Sequence, residues 1–424
     1  MTLPVAENSA VYDVAIVGGG MVGGTLAVLL ACQGFHIAVV EAGDMAPQWA
    51  AEKVDPRVSA LTAASQQLFE SLSLWPAMVG RRVTPYTKMD VWDGTGNGAV
   101  QFDAEDVMVP VLGHIVENSV ITDTLHAAMQ QQPEIHCFAA ARVDAVSDLQ
   151  SEEASNTSRV LTLDDGRSLT ARIVVAADGA RSPLRRMLGI GTDAWDSHQM
   201  AIATTVTHEC SHQQCARQVF LATGPLAFLP VDGPESASHN MSSIVWSANT
   251  AEAERLMSLS NQDFAESLSA AFENRLGSIT SLGERAAFPL IQRHAKRYVL
   301  PSFALVGDAA HGIHPLAGQG ANLGFLDVAV LTEELVKARQ QGAPLSDLRV
   351  LARYERRRRT DNATMLKAME AFCRGFGEQN VWVALARNAG LSAVNRFMPL
   401  KRFFIRQALG QRSDIPAIMQ PMAE

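Results

Sequence analysis

Val11-Tyr12-Asp13-Val14-Ala15-Ile16-Val17-Gly18-Gly19-Gly20-Met21-Val22-Gly23-Gly24 is the stretch that decides the fold. Val11–Val17 reads as a buried parallel strand, apolar on both faces. Gly18, Gly20 and Gly23 then form a GxGxxG. The first glycine permits a tight turn, the second lets the backbone approach a pyrophosphate, and the third lets strand and helix pack closely. Met21–Gln33 reads as the helix, whose N-terminus offers free N–H groups and a positive dipole end to phosphates. Gly34 ends it, and a second strand, His36–Val40, closes on Glu41. A carboxylate there accepts from both hydroxyls of a ribose and disfavours a 2′-phosphate. No Asp, Glu, Lys or Arg lies between Asp13 and Glu41, so a hydropathy window would flag a membrane span. Glycines 18, 19, 20, 23 and 24, clustered where strand turns into helix, fit a nucleotide-binding unit better.

The 424 residues suggest two domains or one large two-part unit. Hydrophobic residues at 47% against 19% charged describe a globular chain, not a disordered one. A net charge of -9 excludes general nucleic-acid binding. Cys32, Cys137, Cys210, Cys215 and Cys373 are odd in number and form no CxxC pair, so a reducing compartment and no disulfide framework are expected. Met1–Ala10 holds no Lys or Arg, which predicts no secretory signal.

Outward from the glycine turn, Ser59–Ser71 and Asn118–Gln132 read as helices, and Gly94–Gly98 as a hairpin tip. Arg159–Val175 reads as a hairpin around Asp164-Asp165-Gly166, feeding a buried strand, Ile173–Ala177. From Met200 to Ala248 short alternating segments predict an antiparallel sheet. Two helices (Ala251–Leu259 and Asn261–Asn274), a buried strand (Phe303–Val306) and helices from Gly320 follow. The expected fold is α/β: a Rossmann-like dinucleotide-binding domain interleaved with an antiparallel-sheet substrate domain, and a helical C-terminus. The expected division gives residues 1–80, 110–190 and 280–345 to the first, 81–109 and 191–279 to the second, and 346–424 to the helical region.

Two further motifs stand at strand ends. Ala177-Asp178-Gly179-Ala180-Arg181-Ser182 follows a buried strand, where Asp-Gly is commonly only a turn. Gly307-Asp308-Ala309-Ala310-His311-Gly312-Ile313-His314-Pro315-Leu316-Ala317-Gly318-Gln319-Gly320-Ala321-Asn322 runs from a strand through a loop into a helix. Its backbone and helix N-terminus suit negative charge, and Asp308 suits a sugar-like hydroxyl chain. His311 and His314 have no Cys or carboxylate cluster beside them in sequence, so no metal is expected.

With these three motifs the sequence resembles the single-component flavoprotein aromatic hydroxylases of the para-hydroxybenzoate hydroxylase class. GDAAHGIHPLAGQGANLG at 307–324 is narrower and resembles the ubiquinone-biosynthesis hydroxylases. The resemblance spans nearly the whole chain, through Arg57-Val58-Ser59-Ala60, Gly113–Asn118, Ala227–Pro230 and Ser243–Trp246. RHAKRYV at 293–299 and DNATMLKAMEAF at 361–372 are most similar to the demethoxy-quinol hydroxylase. MDVWD at 89–93 and GHIVENSVI at 113–121 are at least as similar to the polyprenylphenol hydroxylase. The ring position stays open at this point.

The resemblance implies bound FAD, with NAD(P)H as a transient electron donor and dioxygen as co-substrate, acting through a flavin hydroperoxide on a prenylated phenol or quinol. It implies that Gly18, Gly20, Gly23 and Glu41 hold the ADP half, with Val143 at the adenine and Arg57 near the flavin and its phosphates. Asp178 and Gly179 would lie by flavin and nicotinamide. Asp308 would bind the ribitol, and Pro315, Gly318, Gly320, Ala321 and Asn322 would wrap the isoalloxazine ring. One strand-associated GxGxxG agrees with a nicotinamide that only visits. Phe228 and Leu229 are candidate walls for the ring substrate. No side chain is assigned as catalytic acid or base. The implied setting is cytoplasmic, with peripheral contact at the inner membrane and with other ubiquinone-biosynthesis proteins. Two rivals stand beside this reading: a flavin-dependent reductase or epoxidase of an isoprenoid lipid, and a non-catalytic subunit of a quinone-biosynthesis complex.

Three other segments invite a role. His208, Cys210, His212 and Cys215 hold metal-ligating types at non-standard spacing, which predicts a loop with buried thiols rather than a metal site. Arg353 and Arg356–Arg359 form a basic run, expected to pair with itself through Glu355–Arg359 and Arg357–Asp361. Leu400, Phe403, Phe404 and Ala408 make an apolar stripe among Lys401, Arg402 and Arg406. That stripe reads either as a helix docked on the core or as an interfacial helix at an anionic membrane.

Overall fold

A computed structural model of the chain describes residues 11–151, 157–234, 239–312, 320–377, 395–410 and 414–420. Five strands build the parallel core of the first sheet, in the order Ile135–Phe138, Ile37–Val40, Val11–Val17, Ser168–Ala176 and Phe303–Leu305. The inner strands are apolar runs because they are buried on both faces. Met21–Ala31, Asn118–Gln131 and Gly320–Gln340 supply apolar side chains to that one core.

Register fixes what this sheet is for. Val17 lies opposite both Val40 and Ala176, and Ala176 lies opposite Leu305. The strands therefore end level. Gly18, Glu41, Ala177-Asp178-Gly179 and Gly307-Asp308 emerge together along one carboxyl edge, where open α/β sheets bind ligands.

A second sheet runs in the order His311–Gly312, Ala286–Ala295, Thr192–His208, Met241–Asn249, Gly224–Val231, Cys215–Leu221, Lys88–Asp93, Ala99–Asp103. Thr250–Ser258 and Asn261–Ala271 pack on one face, around Trp92, Phe228, Trp246, Phe264 and Phe272. A small sheet of Val58–Leu61, Gly113–Glu117 and Val83–Tyr86 contributes to the apolar cluster that contains Ala216, Ala227 and Leu229. His311–Gly312 pairs with Arg293 and His294, so the loop after the first sheet is stitched into the second.

Several expectations need correction. Val58–Leu61 is a strand. Thr62 caps the following helix by accepting from the Ser65 N–H, so the helix begins only at Ala63. Cys215–Leu221 runs parallel to Lys88–Asp93, so the second sheet is mixed rather than antiparallel throughout. Ala286–Ala295 pairs with Thr192–Ala203, so the expected boundary at 280 cuts into the second sheet. Val83–Tyr86 belongs to the small sheet instead.

The basic run does pair, mainly with residues outside its own helix, although Arg358–Asp361 lies within it. Arg353 reaches Glu334, Arg357 reaches Glu333, Glu334 and Asp414, and Arg358 reaches Asp327 and Asp361. Glu355 accepts the Tyr298 N–H at 2.7 Å. On the helix Met398–Ala408, Ile405 is buried, and Leu409 just past its end is too; both join the cluster that contains Leu229. Lys401 is also buried, against Asp106 at 2.6 Å, so among the described side chains Lys401, Ile405 and Leu409 face inward. The side chains of Leu400, Phe403, Phe404 and Ala408 lie outside the described residues, as do Ile313–Gln319. No helix among the described residues is long and apolar enough to cross a membrane.

Candidate active site

The level strand ends open on a cleft of about 520 Å³ between the two sheets. Gly20, Met21, Val22, Ala177, Gly179, Ala180, Asp308, Gly320 and Ala321 line one side, and Phe288–Gln292 the other. Val58, Ser59 and Asn118 close one part of it, where the Ser59 hydroxyl donates to Asn118 Oδ1 at 2.7 Å.

The three motif glycines do different work. Gly18 sits at φ +105°, and a Cβ there would lie 2.3 Å from the Ala177 carbonyl oxygen. A Cβ on Gly23 would lie 1.9 Å from the Gly18 oxygen. Both are demanded by the protein's own packing. Gly20 is different: a Cβ there meets no atom of the described residues within 4 Å. Its smallness serves whatever enters the cleft, as a pyrophosphate over a helix N-terminus requires. Glu41 holds the turn by accepting the Gly19 N–H (2.6 Å) and the Gly43 N–H (2.8 Å). Each of its oxygens keeps a lone pair for a ribose hydroxyl. Buried His126 donates from Nε2 to the Gly19 carbonyl at 2.9 Å, a support that no motif signals.

Asp308 opens on the cleft with protein packed around it. Burial pushes its carboxyl up, the nearby Asp327 charge adds to this, and His311 opposes both. Behind it, Asp327 Oδ2 accepts the Gly307 N–H at 3.0 Å and bonds His311 Nε2 at 2.5 Å. Its Oδ1 accepts from Arg358 at 2.8 Å and from Asn362 at 3.1 Å. Burial would raise this carboxyl, but His311 and Arg358 outweigh it and hold Asp327 at about 2. The Gly307–Gly312 loop is thus tied to the helix that begins at Gly320. Arg185 adds a second tie, donating to the carbonyls of Ala309 (2.7 Å) and Ala180 (3.0 Å) and so joining the Asp-Gly and Gly-Asp motifs. Neither Asp327 nor Arg185 was singled out by sequence. An acid on the inward face of the helix after the glycine loop, with four arginines nearby, was the available signal.

Other expected residues fall elsewhere. The Arg57 guanidinium is largely exposed, beside Asp55, and is absent from the cleft lining. Val143 pairs with Leu163 and is reached through Ala141, whose N–H bonds the Glu41 carbonyl at 3.0 Å, so it belongs to the Glu41 end. Asp178 turns from the cleft to accept the Leu184 N–H at 3.1 Å, leaving Gly179, at φ +77°, on the wall. The Asn322 side chain anchors the helix start, accepting from the Thr62 N–H and Ser65 hydroxyl and donating to the Ala60 carbonyl. Pro315 and Gly318 lie outside the described residues. Phe228 and Leu229 point to opposite faces of their strand. Phe228 stacks on Phe272 at 3.7 Å under the helices, so only Leu229 joins the apolar cavity with Ala60, Tyr86, Ile115, Ala216 and Ala227.

The His208–Cys215 loop departs from expectation in detail. Cys210 is exposed, and burial, the largest influence, pushes the Cys215 thiol up to about 12. His212 instead meets Asp232 (3.6 Å) and His239, whose Nδ1 lies 2.8 Å from Asp232. His212 Nδ1 accepts the Gln214 N–H at 3.0 Å, so the neutral ring carries its proton on Nε2 and faces Asp232 as a donor. A metal ligand would need a lone pair there.

Residues 11–368 match the FAD binding domain family. The chain belongs to that family. It is 39% identical over 401 residues to 3-demethoxyubiquinol 3-hydroxylase of Escherichia coli, covering 94% of this chain and 98% of that one. It is 40% identical to ubiquinone hydroxylase UbiL of Rhodospirillum rubrum, covering 94% and 90%. With the ubiquinone biosynthesis monooxygenase COQ6 of Xenopus tropicalis it shares 32%, covering 93% of each. Among solved structures it is similar to p-nitrophenol 4-monooxygenase PnpA of Pseudomonas putida, with a TM-score of 0.75 at 19% identity over 94% of this chain and 98% of that one. That likeness is one of fold.

Proposed function

We propose that this chain is an FAD-dependent monooxygenase that hydroxylates the ring of a prenylated phenol or quinol of ubiquinone biosynthesis, with a lean to the demethoxy-quinol step. The observation that carries it is the convergence of Gly20, Asp308, Gly320 and Ala321 on one cleft whose far wall is the apolar Phe288–Ile291. Bound FAD would supply hydride acceptance from NAD(P)H and the activation of dioxygen. The chain's own part is placement. Gly18–Gly23 and Glu41 would hold the ADP half, and Asp308 the ribitol. The helix start at Gly320 and Ala321 would stabilise negative charge at the ring edge. The apolar wall excludes water. The identities to 3-demethoxyubiquinol 3-hydroxylase and ubiquinone hydroxylase UbiL support the substrate class.

The test is direct. The purified chain should retain reducible yellow flavin, and should consume NAD(P)H and dioxygen when given a prenylated quinol, yielding a product one oxygen heavier. A flavin-free chain, or oxygen uptake only with an alkene, overturns the reading. Supplying each candidate quinol in turn decides the ring position.

Peripheral membrane contact forms part of the same proposal. Met108 (91% exposed) and Phe397 (60%) are large apolar residues in solvent, and Met398 with exposed Arg396 adjoins Phe397. Such a surface gains from apolar burial and from anionic head groups. Replacing Phe397 and Met398 by Ser should lower co-sedimentation with anionic liposomes while flavin stays bound. Unchanged sedimentation refutes it.

A further inference from the structure

Gln292 stands in the strand Ala286–Ala295 and is 5% exposed. It lines the cleft, and its Oε1 is buried with no hydrogen-bond partner among the described residues. An unsatisfied buried polar atom costs about 1–3 kcal/mol, so a protein that keeps one in a cleft wall keeps it for something that arrives. Its companions on that wall are Phe288 (41% exposed), Pro289, Leu290 and Ile291, all apolar. The other polar side chains of the lining are accounted for: Ser59 and Asn118 bond each other, and Asp308 belongs to the opposite wall.

The two walls therefore differ in chemistry. One offers backbone groups and a carboxylate, which suits phosphates and sugar hydroxyls. The other offers an apolar surface with a single amide, which suits a hydrophobic ring carrying few polar atoms. We propose that the Gln292 carboxamide is the polar anchor for a hydroxyl on the aromatic ring of the substrate. The assignment rests on the ring-hydroxylase reading and adds a specificity-determining contact to it. A ring hydroxyl both donates and accepts, so it satisfies the buried end of the amide whichever way the group is turned.

The experiment compares the flavin-bound parent with Gln292→Leu, a change of similar size that removes the polar atoms. Four quantities are read: flavin affinity, thermal midpoint, Kd for a prenylated phenol, and Kd for the analogue lacking its hydroxyl. Both Kd values come from the perturbation of the flavin spectrum. The parent should bind the phenol about 3- to 10-fold more tightly than the deoxy analogue, as for one neutral hydrogen bond. The variant should bind the two alike, keep its flavin, and melt no lower than the parent, because an unpaired buried atom has gone. If the variant still prefers the phenol as the parent does, the anchor lies elsewhere. If it loses flavin while the phenol preference persists, the amide serves the cofactor and the proposal falls. A parent that binds phenols with this discrimination but forms no hydroxylated product would refute the reaction while leaving the contact standing. A parent that binds neither ligand refutes both.

Discussion

The two walls of the cleft are built from different parts of the chain's chemistry. The parallel-sheet wall works through backbone: glycines at strand ends, a helix start, and Glu41 and Asp308 where strands stop. The second-sheet wall works through side chains, Phe288 to Gln292, displayed from a strand. Their support differs too. An ionic network of Asp327, His311, Arg358 and Asn362 stiffens the first. Aromatic packing stiffens the second, with Phe228 on Phe272 and the Arg275 guanidinium 3.7 Å from the Trp92 ring centre. On the proposed reading, phosphate and sugar recognition follows from backbone geometry, whereas ring recognition needs a particular strand face.

Removing the centre of the ionic network should have the largest effect. Asp327→Ala removes the buried acceptor shared by Arg358 Nε, the Gly307 N–H and His311 Nε2, leaving Arg358 only Asp361 and Asn362, and should lower unfolding stability by about 3–5 kcal/mol in denaturant titration. Flavin should leave with it. A loss below about 1 kcal/mol would mean the network does not stiffen that wall.

On the other wall, Phe228→Ala should cost about 3–5 kcal/mol and Leu229→Ala about 2–5 kcal/mol. Only Leu229→Ala should change the KM for a prenylated quinol, because only Leu229 lines the apolar cavity with Ala60, Tyr86 and Ile115. Equal KM responses would erase the distinction between the two faces.

Among the glycines, Gly23→Ala should lose about 1–3 kcal/mol of stability, since its Cβ meets the Gly18 oxygen. Gly20→Ala should stay within about 0.5 kcal/mol of the parent yet purify with less flavin. Thermal melts and flavin-to-protein ratios separate the two, and matching losses of stability would show that Gly20 is a packing residue.

Acid should act on the walls in sequence, the most gradual effect of the four. Burial pushes His114, His208 and His294 down to about 4 from an ordinary 6.5. The unfolded chain takes up these protons first, so stability present above pH 6.5 is lost as pH falls through 4. Asp327, held at about 2 against an ordinary 3.8, contributes stability present above about pH 3.8 and lost as pH falls through 2. His208 and His294 belong to the second sheet, and His114 to the small sheet packed on it. Hydrogen exchange should therefore rise in Met241–Asn249 at a higher pH than in Val11–Val17. The reverse order would assign the acid-sensitive groups to the wrong wall.

Much of the first wall was legible in the sequence. Gly18, Glu41, Gly179, Asp308 and Gly320 each sit where an apolar run stops or a helix starts, and strand ends are visible as changes of pattern. The second wall was less so. Ala286–Ala295 resembled an extension of the first domain, and its place became visible only through pairing with Thr192–Ala203. Phe228 and Leu229 are equally apolar, and which of them lines the cavity with Ala60 and Tyr86 depends on register.

By itself the sequence determined the glycine-rich strand–turn–helix, because the positions of Gly18 and Gly23 admit only glycine and the helix must follow at once. It also determined that a carboxylate would follow the second strand. Only the tertiary structure decided that Asp327 would secure the Gly-Asp loop, that Arg185 would join two motifs more than 100 residues apart, and that Gln292 Oε1 would be left without a partner among the described residues in an apolar wall. These facts depend on which side chains meet across sheets and helices. Such meetings are set by register and packing among distant segments, and no local pattern of residues encodes them.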